Sequence, residues 1–314
     1  MIKETTMLYL YVETPLHAGV GSGLSSIDLP IQRERATQYP IIQGSGIKGK
    51  LRALAEDVKL EDTDVIFGSS VDTGKGNEHA GAIVVGDARI LLFPIRSLNG
   101  VFAYATSYDV LNRFKRDIER RYTNQVQSPP WSIPIAAGEG IALVTTTSEV
   151  IASGKLVLEE FSFTAQQDPQ VDSIAKWVAE NTLPDTGLEN YWGKKLTNSL
   201  VVLPDDDFRD FVLYATEVIT RIRIDREKKT VQKGALWSEE HLPTDTLMYV
   251  PIYATDSRKA ESGTPKMTAD QILQRVQSLE KKRGGYLQLG GDETVGRGIV
   301  RIHWEGKSKD KIHQ

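Results

Sequence analysis

Four short stretches of this chain carry side chains suited, by kind and placement, to catalysis or to binding. The first is the loop HAGVGSGLSSID, from His17 to Asp28. Cleaving a phosphodiester needs a group that aligns or deprotonates a nucleophile, and often a metal that offsets developing charge. His17, Ser25, Ser26 and Asp28 are of suitable types, although a lone Asp in a Gly/Ser loop serves equally as a turn residue. The second is ALWSEEHLPTDTL, residues 235–247, where Glu239, Glu240 and His241 sit between Trp237 and Pro243. It reads as a shaped loop or as a solvated turn anchored by the Trp. The third is GSGIKGKLR, residues 44–52. Lys48 and Arg52 are four apart and share one helical face. Gly44, Gly46 and Gly49 allow another backbone to approach closely. Ser45 is well placed to cap the helix, whose N-terminal N–H groups suit phosphate. The same string is also an ordinary amphipathic helix with solvated cations, and it lacks the GxxxxGK[ST] of a Walker A loop. The fourth is LGGDETVGRG, residues 289–298. So many glycines exclude a regular strand. The following IVRIHW is a strand and not a helix, which disfavours a dinucleotide-binding fingerprint and leaves a tight turn with a bulge.

The elements around these stretches alternate in type. Met7 to Val12 is a continuous apolar run and reads as a buried strand. Residues 17–40 form a long loop closed by prolines, of the kind that tends to be functional in compact domains. Ile47, Leu51, Leu54 and Val58 form one helical stripe. Residues 81–92 predict a strand pair or one long strand, 107–121 a surface helix, and 171–181 a short helix. IALVTTT and KLVLEEFSF are of β type. VVLPDDDFRDFVLYATEVITRIRID runs from a Pro- and Asp-rich helix start into a strand. Residues 226–262 mix charge with apolar pieces and predict a projecting hairpin or irregular insertion. Residues 269–280 are helical, and GYLQLGGDETVGRGIVRIHW is strand, glycine loop, strand. The tail after Trp304 is polar and reads as frayed.

Composition narrows the class. The 314 residues are 40% apolar and 25% charged, as in a globular protein with a sizeable core. There is no cysteine, which excludes disulfides and zinc–thiolate sites and makes a reducing cytoplasm the simplest home. The opening MIKETTMLYLYVETP carries acids early and does not read as a secretory signal. No run approaches the ~20 apolar residues of a membrane span. The net charge of −4 argues mildly against nucleic-acid binding. The average hides basic runs, with Arg221, Arg223, Arg226, Lys228, Lys229 and Lys233 in one and Arg113, Lys115, Arg116, Arg120 and Arg121 in another. Such runs permit RNA binding and also suit a solvated face.

In order along the chain, PLHAGVGSG, PIIQGSGIKGKLRAL and GGDETVGRG resemble the RAMP superfamily of CRISPR-associated proteins. Within it, VVLPDDDFRDFV, TEVITRIRID and GALWSEEHLPTDTL resemble the backbone subunit of the type III-B (Cmr) effector complex. The resemblance runs through most of the chain and is weakest at 95–185. It implies an α+β fold: a ferredoxin-like, RRM-like palm from about 1–100 and 185–305, a finger insertion at about 101–185 and a thumb-like insertion at about 221–262. It implies copies stacked as a filament along guide RNA (crRNA), together with other type III-B subunits. The thumb of each copy displaces a guide nucleotide, and complementary target RNA is cut at regular intervals with a divalent metal, Mg or Mn. By position, Asp28 is the aspartate that cleavage requires and the metal ligand. His17 matches a family histidine near the cleavage site and Glu239 a family acid, while His241 stands where the family often has tyrosine. Ser45, Lys48, Lys50 and Arg52, with Gly290, Gly291, Gly296, Arg297 and Gly298, map onto guide-binding elements. A non-catalytic guide-binding subunit and a stand-alone guide-precursor endoribonuclease are the alternatives, the latter usually relying on His, Lys or Tyr.

Overall fold

The computed structural model describes residues 1–23, 26–69, 79–120, 129–134, 138–184, 190–258 and 266–305. Ser25, Arg121 and the tail beyond residue 305 lie outside the described residues.

The chain opens with β1 (Glu4–Val12), β2 (Ile41–Ile42), helix α1 (Gly44–Asp57), α2 (Thr63–Phe67), β3 (Ile83–Val85), β4 (Ala88–Arg96), β5 (Phe102–Ser107) and α3 (Tyr108–Glu119). It continues through β6 (Ile141–Val144), β7 (Ile151–Ala152), β8 (Lys155–Leu158), β9 (Phe161–Gln167), α4 (Pro169–Asn181), α5 (Tyr191–Ser199), β10 (Leu200–Leu203) and α6 (Asp205–Tyr214). β11 (Glu217–Ile224) and β12 (Val231–His241) form a separate two-stranded hairpin. β13 (Leu247–Ala254), α7 (Ala269–Gln277), β14 (Tyr286–Gln288) and β15 (Ile299–Trp304) follow. All strands outside the hairpin join one 13-stranded mixed sheet, ordered β14-β15-β1-β13-β4-β5-β10-β6-β9-β8-β7, with β2 beside β4 and β3 beside β13.

The helix starts are chemically marked. Ser107 and Asp168 cap α3 and α4 with their side chains, and Pro169 takes the first position of α4. Thr268 and Gln271 form a reciprocal capping box on α7. Asp205, Asp206 and Asp207 fill the first turn of α6, where the helix dipole favours them.

Four strands carry the centre, in the order β15-β1-β13-β4, with every neighbouring pair antiparallel. In sequence α1 lies between β1 and β4, and α7 between β13 and β15. β1 is buried on both faces. Thr6 accepts a bond from Gln277 at the end of α7, whereas Tyr9 packs edge-on against Phe114 of α3. Thr6 and Tyr9 point to opposite faces because side chains alternate along a strand, so helices cover the sheet on both sides.

Two expectations are corrected. Only residues 217–241 form a hairpin apart from the sheet; the run LMYVPIYA within 226–262 is β13, a central strand buried along nearly its whole length. Charged neighbours on either side disguise a segment whose unbroken apolar character marks a strand covered on both faces. The basic run at 113–121 also turns partly inward. Arg113 grips Glu34 through both Nη atoms (2.8 and 2.6 Å), and Lys115 donates to the Trp131 carbonyl. β5 to β9, which are the strands of 101–185, and β10 continue the main sheet outward from β4.

Candidate active site

Three segments converge at the base of the β11–β12 hairpin. Leu16 bridges to Leu242, and Leu29 runs parallel to Glu239, so the long first loop is stitched to β12 at two points. Leu29 donates to the Ser238 carbonyl and Glu240 N–H to the Leu29 carbonyl, each at 3.0 Å. The glycine loop arrives from the other side: Gly298 N–H donates to Pro15 O and Gly291 N–H to His17 O, both at 3.0 Å. Two glycines make this approach possible. A Cβ on Gly290 would lie 2.2 Å from His17 O, and one on Gly298 1.9 Å from Leu289 O, and both residues have φ in the left-handed region.

Alternation along β12 separates the two adjacent acids. Glu240 is buried and anchors the loop. It accepts from Ile31 N–H (3.0 Å), Arg33 (2.5 Å) and Thr216 (2.8 Å). On the opposite face stand Trp237, Glu239 and His241, with Arg221 directly across from Trp237 in the hairpin register. Arg221 Nε lies 2.6 Å from Glu239 Oε2, and an Arg221 Nη lies 2.8 Å from Asp292 Oδ2. Trp237 Nε1–H donates to Glu239 Oε1 at 2.7 Å. The stretch read as a shaped loop or solvated turn is therefore a strand end with both acids buried.

His241 is fully buried, with Nε2 3.7 Å from Asp292 Oδ2 and 3.9 Å from Glu239 Oε2. Neither ring nitrogen has a hydrogen-bond partner among the described residues. Burial pushes its imidazole below the usual histidine range, and nearby His17 and Arg297 push the same way, so the ring is neutral at neutral pH. His17 lies beside it, with ring centroids 5.4 Å apart. His17 Nδ1 is 2.7 Å from the Glu240 carbonyl. A carbonyl only accepts, so Nδ1 carries a proton and, in the neutral ring, Nε2 keeps a lone pair. That nitrogen lies over Gly19, where a Cβ would sit only 2.5 Å away.

Asp28 is placed apart from this cluster, exposed at the edge of β12. Its Oδ2 accepts from the Ser238 N–H (2.8 Å) and the Ser238 hydroxyl (3.0 Å), and its own N–H donates to Ser238 Oγ (3.0 Å). The Ser238 N–H, then its hydroxyl, hold the Asp28 carboxyl below the usual aspartate range. The result is an exposed, ionised carboxylate in a fixed orientation.

Among the described residues, the acids and histidines grouped tightly enough to share a metal are Glu239, His241 and Asp292, with ligand atoms within 4.8 Å of one another. Arg221 already bridges those two carboxylates, so their charge is met by a guanidinium. Asp28 fits a metal differently. Mg²⁺ commonly keeps several waters and binds through one or two carboxylates plus substrate phosphates, and one exposed carboxylate suits that mode.

The residues expected to hold the guide are partly engaged inside the chain. Ser45 does not cap α1. Gln43 is the N-cap residue, and the Gly44 N–H is taken by Asp87 Oδ1 at 2.8 Å. Gly44 packs so closely on Val85 and Gly86 that a Cβ would sit 2.4 Å from the Val85 carbonyl. Arg52 binds Glu56, Asp64 and the Gly68 carbonyl, each at 2.7 Å. Lys48 is half-buried, and burial together with Arg52 and Arg258 pushes its ammonium below the usual lysine range. Lys50 lies 3.6 Å from Glu293, linking α1 to the glycine loop. Gly46 and Gly49 face open space. Gly291 and Gly296 are exposed, and Arg297 is half-buried near His241.

Sequence reasoning missed Ser238, Arg221 and Asp292 as members of the site. Arg221 was visible only as part of a basic run, and Asp292 as a loop residue. The cross-strand register that sets Arg221 opposite Trp237 exists only once the hairpin has formed.

The RAMP superfamily profile matches residues 9–301. A protein of Pyrococcus furiosus named CRISPR system Cmr endoribonuclease Cmr4 is 41% identical over 298 residues, covering 93% of each chain. The crystal structure of oligomeric Cmr4 from Pyrococcus furiosus superposes with a TM-score of 0.69 at 33% identity, over 96% of this chain and 98% of that one. A chain of the type III-B Cmr-beta complex in its apo state gives a TM-score of 0.69 at 25% identity, over 98% of this chain and 99% of that one. With a profile match across almost the whole chain and this identity to a full-length relative, the chain belongs to the RAMP superfamily and, within it, to the Cmr4 family.

Proposed function

We propose that this chain is the guide-binding backbone subunit of a type III-B CRISPR effector, and that it cleaves complementary target RNA. The observation that carries the cleavage reading is Asp28, an ionised carboxylate held at an exposed loop edge by Ser238. A carboxylate of lowered pKa is a weak base, but it is a good acceptor for orienting a hydroxyl and a good metal ligand. RNA supplies its own nucleophile in the 2′-hydroxyl. Attack of that oxygen on the adjacent phosphorus, with departure of the 5′-oxygen, needs the sugar and phosphate turned into line, and such positioning contributes much of a rate enhancement. His17 Nε2 has the lone pair to take the hydroxyl proton, and Asp28 has the acceptor to aim it. A bound Mg²⁺ or Mn²⁺, held by Asp28 and the substrate phosphate, would offset charge developing on the phosphoryl oxygens and on the departing 5′-oxygen, which takes a proton from water.

The connectivity β1-α1-β4-β13-α7-β15 with strand order β15-β1-β13-β4 supports a ferredoxin-like palm. Residues 217–241 are the thumb on this reading, and 101–185 the finger. The hairpin's exposed Arg223, Arg226, Lys228 and Lys229 alongside exposed Ile222 and Ile224 suit a strand pair that parts nucleotides and meets a neighbouring copy. Lys48, Lys50 and the glycine loop form the guide cradle, whose contacts are to the RNA backbone and not to base edges. Guide RNA, target RNA, further copies of the chain and other type III-B subunits are the partners, in the cytoplasm. The oligomeric and complex-bound relatives support this assembled role over a stand-alone processor.

The test is Asp28→Asn in the assembled complex, with target products resolved on a denaturing gel. Cleavage should be abolished while guide binding, target binding and assembly stay intact, because side-chain volume barely changes. A target with one 2′-deoxy sugar should resist cutting at that position only. Evenly spaced products from Asp28→Asn at the wild-type rate would remove Asp28 from the chemistry and leave it to His17 and Glu239.

A further inference from the structure

Away from the hairpin base, the sheet presents a row of side chains that the cleavage reading leaves unused. Tyr11 stands opposite Arg301 across β1 and β15, and Arg301 opposite Tyr286 across β15 and β14. Directly opposed residues on adjacent strands share a face, so the three lie side by side. The Arg301 guanidinium carbon is 5.6 Å from the Tyr286 ring centroid. Trp192 of α5 closes the row, its ring 6.5 Å from that of Tyr11. Trp192 and Tyr286 each remain 39% exposed. With Glu13 and Asp245 they line an open groove of about 360 Å³. Further along β1 the same face is closed, because Tyr9 is covered by Phe114 of α3.

The floor of this groove is rigid. The Tyr11 hydroxyl donates to Asp245 Oδ1 at 2.5 Å and lies 3.1 Å from the Tyr104 hydroxyl. Asp245 has φ +67, a left-handed conformation for a residue with a side chain; such outliers cluster at functional sites. The groove also adjoins the reacting loop. Glu13 and Thr14 N–H groups donate to the Ile299 carbonyl, and Gly298 N–H to Pro15 O, at the same strand ends that set His17 in place.

We propose that this groove binds one nucleotide of single-stranded RNA, its base stacked against the Trp192 and Tyr286 rings and its phosphate against Arg301. Every base has a face that stacks on an aromatic ring, so the platform is tolerant of sequence. The Asp245 and Glu13 carboxylates only accept, so they suit the amino hydrogens of a base edge and not a phosphate. Glu13 Oε1 lies 3.9 Å from an Arg301 Nη and holds that guanidinium beside the groove, and a guanidinium has five N–H donors to share between that carboxylate and a phosphate. The volume accommodates a base and its sugar and is too small for a duplex. This inference rests on the RNA-binding function above and adds to it a contact beside the cleavage position. A guide or a target nucleotide can supply the same chemistry.

The experiment uses the full chain, measuring affinity for fluorescent guide RNA by anisotropy over a salt series, and then affinity of the guide-loaded assembly for target RNA. Trp192→Ala and Tyr286→Ala should each weaken binding about ten-fold with an unchanged salt slope, as loss of stacking predicts. Arg301→Gln should weaken it and flatten the slope by about one. Trp192→Phe and Tyr286→Phe should keep wild-type affinity, which separates stacking from a folding defect, and melting curves check the fold. Loss in the guide arm assigns a guide nucleotide; loss in the target arm alone assigns a target nucleotide. Wild-type affinity of both alanine variants in both arms overturns the proposal and leaves the backbone function standing. Altered oligomer size at unchanged RNA affinity also overturns it, making the groove a protein-docking surface. A wild-type chain that binds neither RNA overturns the groove and the function together.

Discussion

Replacing Arg221 with alanine removes the cation shared by Glu239 and Asp292 and tests whether the hairpin base is held by that pair. The Arg221 side chain is 24% exposed, Glu239 7% and Asp292 24%. Removing one partner of a fully buried ion pair costs roughly 3–5 kcal/mol, because the remaining charge is left uncompensated. Fully exposed pairs contribute about 0–1 kcal/mol. This arrangement lies nearer the buried limit at Glu239 and further from it at Asp292, which places the cost of Arg221→Ala at about 2–3 kcal/mol. For a chain of this size, with about 2.1 cal/mol/K of unfolding entropy per residue, that is roughly 3–5 °C in melting temperature. Glu239 keeps its Trp237 N–H bond, so the loss falls on Oε2 and on the link to the glycine loop. Hydrogen exchange should rise in β11 and β12 near Trp237 and around residues 289–298, and little elsewhere. Arg223→Ala, on an exposed position of the same strand, serves as control and should change stability by less than about 0.5 kcal/mol. The decisive comparison is a double-mutant cycle with Asp292→Asn. Contact predicts a coupling of about 1–2 kcal/mol. A melting point within about 1 °C of wild type for Arg221→Ala, or strictly additive effects with Asp292→Asn, would show that the bridge contributes nothing.

The glycines predict opposite outcomes within one chain. Gly298→Ala forces a Cβ against the Leu289 carbonyl at positive φ and should lower stability by about 3 kcal/mol or more, whereas Gly46→Ala, inside α1 with open space around it, should raise stability by about 0.5–1 kcal/mol; denaturant titration reads both. Stability should also depend on pH through His241. Its folded pKa lies below the unfolded value near ~6.5, so the unfolded chain binds more protons between the two; stability is complete above about pH 6.5 and falls as pH drops through that window. His241→Tyr should flatten the melting-temperature profile below about pH 6.5, and an unchanged slope would assign it to another group.

The legible parts of the molecule were those in which one local rule acts without competition. β1 follows from an unbroken apolar run, α1 from its Ile47–Leu51–Leu54 stripe, and α6 from its Pro204 and Asp205–Asp206–Asp207 start. β13 is as unbroken an apolar run as β1 and was hidden only because charged segments flank it on each side and drew it into a reading of one irregular insertion. The site divides in the same way. His17, Asp28 and Glu239 were singled out by residue type and by resemblance, but their division of labour was not. Glu239 and Glu240 look equivalent in the sequence, yet the pleat of β12 sends one to Arg221 and the other to Arg33, where it anchors the loop that carries Asp28. Arg52, chosen for its helical face, is claimed by Asp64 and the Gly68 carbonyl, which lie beyond the end of its own helix. Side chains that meet partners from distant segments are therefore where reading by type and spacing stops. The row Tyr11–Arg301–Tyr286 is an extreme case, since its members come from opposite ends of the chain and share a face only because β15 pairs with β1 on one side and β14 on the other. A mutation that shifted the β1–β15 register by one residue would turn Arg301 to the opposite face and scatter that row. It would also move the Ile299 carbonyl away from Glu13 and Thr14, so the positioning of His17 and the groove share one structural determinant.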